Sequence, residues 1–163
     1  ILKKMKKGIT INQVINAFHL ANKYDISTTA SFIVGYPGET ERDIQKTIDL
    51  AKKINPMLAH FSICTPYLGT DIYTDSIKNG WIINSAWDRW SPYSDTSVLK
   101  TEYLTPDDVI RLRKHAYYSF YLRSSYVLRC ISRIRSWEQF KLYINGLLAV
   151  LSISKFKKDN HET

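Results

Sequence analysis

The sequence predicts an α/β protein: two parallel strands, a helix between them, and a helical extension behind. Three observations carry this. Residues 27–34 are a short run rich in Thr, Ile, Val and Phe, and residues 58–64 a second short run of alternating character, both bounded by Gly, Pro or Asn, as strands are. Residues 41–54 repeat apolar side chains at helical spacing, and two strands joined through one packed helix run parallel with a right-handed crossover. From Thr105 onward the punctuation is helical. Such a unit is part of a doubly wound sheet or of a β/α barrel. Two strands cannot cover both of their faces and the chain opens on Ile1, so a fragment of a larger protein is expected.

Thr10-Ile11-Asn12-Gln13 is a capping box that opens the first helix, and Val14, Phe18 and Ala21 follow on one face. The first strand ends at Gly35-Tyr36-Pro37-Gly38, where Pro removes a donor and Gly accepts positive φ. Thr40 caps the next helix, with Asp43 placed to meet the helix dipole and Ile44, Ile48, Ala51 and Ile54 facing inward. Asn55-Pro56 stops that helix. The second strand closes at Pro66, and Gly69-Thr70 opens a short helix that stops at Asn79-Gly80. Trp81, Trp87, Trp90 and Tyr93 stand in an aperiodic stretch read as an ordered loop anchored by its aromatics. Thr105-Pro106-Asp107-Asp108 starts a long helix through Val109, Leu112, Ala116 and Phe120 to Leu122, with a kink at Ser124-Ser125 and a second stripe from Tyr126 to Ile134. Ser136-Trp137-Glu138-Gln139 opens a last helix with Phe140, Ile144, Leu147, Leu148 and Leu151 on one face.

The totals narrow the class. In 163 residues, 44% hydrophobic and 23% charged content describes an ordinary globular chain. No signal peptide and no apolar stretch of about 18 residues is visible. The widely spaced Cys64 and Cys130 fit neither a disulfide framework nor a CxxC metal site, which suits a reducing cytoplasm. The net charge of +8 is uneven: residues 1–108 hold 12 Lys and Arg against 12 Asp and Glu, residues 109–163 hold 11 against 3. A basic solvated helix face explains this, and so does a surface for nucleic acid, anionic lipid or an acidic partner.

Strand parity places the chemistry. On the first strand Ser31, Ile33 and Gly35 share one face and Ala30, Phe32 and Val34 the other; on the second His60, Ser62 and Cys64 share one face, and the apolar Ala59, Phe61 and Ile63 belong under the helices. His60 reads as an acid, a base or a ligand, or as a packed histidine of a barrel interior, with no second ligand at metal spacing nearby; Cys64, with no base visible, reads as a small buried residue. Tyr36-Pro37-Gly38-Glu39 is either a plain strand-to-helix turn or an anion site at a helix start. It lacks the spacing of a dinucleotide loop or a P-loop.

Taken together, Phe32-Ile33-Val34-Gly35-Tyr36-Pro37-Gly38-Glu39-Thr40 resembles the fifth-strand signature of radical S-adenosylmethionine (SAM) enzymes. His60-Phe61-Ser62-Ile63-Cys64-Thr65-Pro66-Tyr67-Leu68-Gly69-Thr70 resembles their sixth strand and the loop after it. Lys7-Gly8-Ile9-Thr10 resembles the entry to the helix before strand five. Tyr121-Leu122-Arg123-Ser124-Ser125-Tyr126-Val127-Leu128-Arg129 is similar to a tail segment of the subgroup carrying a cobalamin-binding domain.

The resemblance implies residues 1–83 as the second half of a partial (β/α) TIM-like barrel. Residues 84–104 are then an aromatic-rich loop, 105–154 an α-helical C-terminal extension and 155–163 a polar tail. It implies SAM held on its adenosine side by Ser31, Ile33 and Gly35, by the turn Tyr36, Pro37, Gly38 and Glu39, and by Thr65, Pro66 and Tyr67. Ile33 would lie on the adenine face and the backbone of residues 65–67 would bond its rim. Ser31 replaces the family's first Gly, and the expected acid is displaced by one residue to Glu39. A 4Fe-4S cluster on an upstream CxxxCxxC loop, absent here, is implied as well, with cobalamin as methyl carrier if the subgroup holds. The implied partners are the missing N-terminal half of the barrel, an upstream cobalamin domain and a small-molecule or lipid substrate. The expected location is cytoplasmic, with peripheral membrane contact as an extension. No catalytic acid, base or nucleophile is named, and the chain alone is expected to be inactive. The competing reading is a basic helical module for nucleic acid or a membrane surface.

Overall fold

A computed structural model describes residues 1–84 and 90–152. Among them the elements run α1 (Ile11–Lys23), β1 (Thr29–Val34), α2 (Glu41–Ile54), β2 (Leu58–Ile63), α3 (Asp71–Lys78), α4 (Pro106–Tyr121), α5 (Ser124–Arg133) and α6 (Trp137–Ser152). β1 and β2 pair in parallel, Thr29 opposite Leu58 and Val34 opposite Ile63, so both strands end side by side. Their alternation is as expected: Ala30, Val34, Ala59, Phe61 and Ile63 are buried, and Ser31, Ile33 and His60 face out. The exposed His60 departs from the packed histidine expected for a barrel interior, because nothing among the described residues covers that face.

The capping boxes at Thr10, Thr40 and Thr105 form as their spacing requires. α2 ends on Asn55 in the left-handed region (φ 49°), directly before Pro56. Ile44, Ile48, Ala51 and Ile54 are all buried.

One core joins the strands to the C-terminal helices. Val34, Ile44, Ile48, Ala59, Phe61 and Ile63 pack with Leu104, Val109, Leu112, Ala116, Phe120, Tyr126 and Cys130. Phe61 anchors it, stacked on Phe32 (5.3 Å between centroids) and edge-on to Tyr117 (5.3 Å).

The tyrosines of α4 also finish the sheet. The Ala59 amide donates to the Tyr121 hydroxyl (3.0 Å), which donates in turn to the Ala59 carbonyl (3.0 Å). The Phe61 amide donates to the Tyr117 hydroxyl (3.2 Å), and the Ile63 amide to the Pro92 carbonyl (2.8 Å). These are the backbone groups a third strand would need on the outer edge of β2, so that edge is closed. The opposite edge differs. The carbonyls of Thr28 and Val34 accept from Leu58 and Cys64, which turns the backbone groups of Thr29, Ser31 and Ile33 away from β2. Those groups make no hydrogen bond among the described residues.

Part of the basic surplus turns inward. Arg123 donates to the Lys52 carbonyl (3.1 Å), and Arg129 to the carbonyls of Asn55 (2.8 Å) and Pro56 (2.6 Å). Both guanidinium groups thus sit at the carboxyl end of α2, where the helix dipole favours cations. Arg133 pairs with Asp25.

Four details depart from the sequence reading. The long helix breaks at Leu122 and Arg123 into α4 and α5, since Arg123 takes an extended conformation to reach Lys52. The Gln139 side chain accepts from the Arg135 amide (2.8 Å) rather than completing the box at Ser136. Phe140, Ile144, Leu147, Leu148 and Leu151 of α6 are exposed, while Val150 is buried and Tyr143 packs on the core. Tyr93 is 68% exposed and anchors nothing, whereas Trp90 is buried with Cys64, Val98 and Leu99. Trp87 and the polar tail 155–163 lie outside the described residues.

Candidate functional site

The site is built where β1 and β2 end. Backbone pairing continues one step past the strands, as the Cys64 amide donates to the Val34 carbonyl (2.9 Å). This fixes the turn after β1 beside the loop after β2.

The turn is locked by its own acid. Glu39 is 2% exposed, and its Oε2 accepts from the amides of Gly35 (2.9 Å) and Tyr36 (3.0 Å). Its amide closes the turn on the Tyr36 carbonyl (2.9 Å). Gly35 and Gly38 take φ of 82° and 86°, which residues with a Cβ avoid. A carboxylate therefore occupies the donors that an external anion would need, and the anion-site alternative for residues 36–39 loses them. Burial raises the Glu39 pKa, opposed by the amides of Tyr36 and Gly35.

Across from it, Pro66 is buried, Thr65 half-buried and Tyr67 exposed. The Tyr67 amide donates to the Thr65 carbonyl (3.1 Å), and the Thr70 hydroxyl, which also caps α3, donates to the Tyr67 carbonyl (2.6 Å). The Thr65 amide and the Pro66 carbonyl have no hydrogen-bond partner among the described residues. Burial pushes the Cys64 thiol up to about 12, so the free thiol stays protonated near neutrality and is a poor nucleophile.

The expected residues divide into three groups. Ser31 and Ile33 lie on the open face, opposite His60 and Ser62 in register. Gly35, Pro37, Glu39 and Pro66 are buried and shape the backbone, while Tyr36 packs on the cluster around Cys64 and Trp90. Thr65 and Tyr67 stand beside them on the loop after β2, half-buried and exposed respectively. Two neighbours were missed. A Cβ placed on Gly35 would meet the methyls of Val109 at 2.8 and 2.9 Å, and one on Gly38 would meet Lys4 Nζ at 2.4 Å. Nothing local marks either contact: Val109 reads simply as core, and Lys4 as one of several lysines. No group of residues fit to hold a metal ion occurs among the described residues.

Comparisons with known proteins place the chain among relatives. The profile of the Radical SAM superfamily matches residues 1–51. An uncharacterized methyltransferase of Pyrococcus horikoshii is 35% identical over 150 residues, covering 92% of this chain and 32% of that protein. A tRNA-2-methylthio-N(6)-dimethylallyladenosine synthase of Thermosipho melanesiensis is 39% identical over 72 residues, 43% of this chain and 17% of its own length. The chain belongs to the radical SAM superfamily. A probable threonylcarbamoyladenosine tRNA methylthiotransferase of Methanocaldococcus jannaschii is 34% identical over 74 residues, again 17% of that protein. The radical SAM chain described here spans a third or less of the length of these relatives. No helix among its described residues is long and apolar enough to cross a membrane.

Proposed function

We propose that the paired ends of β1 and β2 hold the adenosine side of SAM in a radical SAM enzyme that transfers a methyl or methylthio group. The observation that carries this is the Val34–Cys64 bond, which sets a locked turn and an unsatisfied loop side by side at the carboxyl ends of parallel strands. The residues fit the ligand. Ile33, 37% exposed on the open face, offers an apolar wall for the adenine ring. The Thr65 amide and the Pro66 carbonyl offer the donor and the acceptor that the rim of an adenine needs. Glu39 keeps Gly35 and Tyr36 in place without touching the ligand, and Ser31 extends the polar side of the cleft. The cluster does not fit this chain, because its two cysteines are buried and far apart in sequence. Its ligands are assigned to the N-terminal half of a partial barrel, which would add its last strand along Thr29, Ser31 and Ile33.

SAM and a cluster, when bound, supply radical initiation; the protein positions and shields them. Cobalamin as methyl carrier is a further step of the same reading, supported by the resemblance of residues 121–129 to the subgroup's tail. RNA as substrate is a second reading, favoured by the relatives named for tRNA modification. The inward-turned Arg123 and Arg129, and Arg133 paired at the surface with Asp25, leave fewer charges to meet it. In the full-length enzyme, Ile33→Asp should weaken SAM binding at least tenfold by calorimetry while leaving the fold intact by circular dichroism. Unchanged SAM affinity would overturn the assignment.

A further inference from the structure

Arg113 stands apart from the other half-buried arginines. Arg123 and Arg129 leave Nε unpaired, but their terminal nitrogens bond carbonyls at the end of α2. Arg113 is 8% exposed, its Nε is buried without a partner, and its guanidinium makes no hydrogen bond or ion pair among the described residues. A desolvated guanidinium nitrogen that donates to nothing is unfavourable until an acceptor meets it. A side chain kept in that condition is placed to meet an anion.

Its position is fixed by its neighbours on α4. One turn earlier, Val109 lies against Gly35, and one turn later the Tyr117 hydroxyl holds the Phe61 amide. Arg113 therefore stands beside the carboxyl half of β2, on the closed edge of the sheet. The overlying segment, residues 90–101, is held there by the bond from the Ile63 amide to Pro92. Asp95 of that segment is near enough to favour the charged form but is exposed and makes no ion pair with it. A guanidinium presents a rigid planar fork matched to an oxyanion.

We propose that Arg113 forms the cationic floor of an anion subsite between α4 and residues 90–101, and that it takes the carboxylate or phosphate of a small-molecule substrate. The assignment to substrate rests on the function proposed above; affinity for an oxyanion does not.

The test is thermal unfolding and calorimetry of the full chain with sodium phosphate or sodium acetate against sodium chloride at equal ionic strength. An oxyanion should raise the Tm of the native chain, and the stronger of the two identifies the group recognised. Arg113→Met should bind it at least tenfold more weakly and be no less stable without it. Arg113→Lys, which keeps the charge but not the fork, should retain part of the response. An equal response in Arg113→Met, or none in the native chain, overturns the subsite. So does a marked loss of stability in both Arg113→Met and Asp95→Asn, since Asp95 would then be the counter-ion. SAM affinity separates the two proposals: Ile33→Asp should lose SAM and keep the oxyanion, and Arg113→Met the reverse.

Discussion

The hydroxyl of Tyr121 can be removed without disturbing anything else. Its ring packs against Phe120 (4.9 Å), Tyr126 (5.0 Å) and Tyr117 (6.2 Å), contacts that phenylalanine keeps. Its oxygen alone satisfies both the amide and the carbonyl of Ala59, which is 0% exposed. A buried backbone group stripped of its partner costs about 1–3 kcal/mol. Tyr121→Phe should therefore cost roughly 2–4 kcal/mol, allowing for partial rescue by water. Tyr117→Phe strips only the Phe61 amide, whose bond is longer at 3.2 Å, and should cost about half as much. Tyr118→Phe is the control: half-buried, its hydroxyl making no hydrogen bond among the described residues, it should stay within about 0.5 kcal/mol. Urea unfolding of the full chain measures the order, and hydrogen exchange at the Ala59 amide locates the effect. If Tyr121→Phe matched Tyr118→Phe, or Ala59 exchanged no faster, the phenols would not be closing the sheet.

Gly35→Ala combines a forbidden φ with a clash against a stiff β-branched side chain, and should cost about 2–4 kcal/mol in the same unfolding assay. Adding Val109→Ala should recover the steric part only. Glu39→Ala leaves the amides of Gly35 and Tyr36 without an acceptor, at about 1–3 kcal/mol each, whereas Glu39→Gln keeps an oxygen for both. The folded pKa of Glu39 lies above its unfolded value, so its contribution is full below the ordinary glutamate range and falls as pH rises through the raised value. Glu39→Gln should flatten that slope in a pH series of Tm. Asp108 behaves oppositely. The Thr105 hydroxyl and Arg111 hold its pKa at about 2, so the stability it adds is present above about pH 4 and fades toward pH 2, a loss that Asp108→Asn should abolish.

What could be read from the sequence was what depends on near neighbours. The box at Thr10, the caps at Thr40 and Thr105 and the alternation from Ala30 to Val34 follow from spacings of two to four residues and form as expected, while Asp43 and Asp108 go further and complete boxes of their own. Glu39 was harder. Its offset of one residue from the family's acid left it looking like a charge at a helix start, and only burial shows that it points back at Gly35. The tyrosine closures span 56 and 62 residues, and no local pattern distinguishes a phenol that meets a strand edge from one that fills a core. The face of α6 fails for the converse reason. Periodicity shows that a helix has an apolar side but not that a partner exists to cover it.

The two edges of the small sheet carry the remaining argument. The β2 edge is closed by side chains and by Pro92, so strand addition there would require α4 to leave. The β1 edge presents the bare backbone of Thr29, Ser31 and Ile33, and the side chains of Ser31 and Ile33 are the ones that face the proposed adenosine cleft. A strand added there would form the next wall of that cleft, so completing the sheet and completing the ligand site are one event. The amides of Ser31 and Ile33 should then exchange rapidly in the isolated chain. In the longer enzyme proposed above they should become protected even without SAM, while the Ala59 amide is protected in both. Protection of Ser31 and Ile33 that appeared only on adding SAM would mean that the ligand, and not a neighbouring strand, covers this edge.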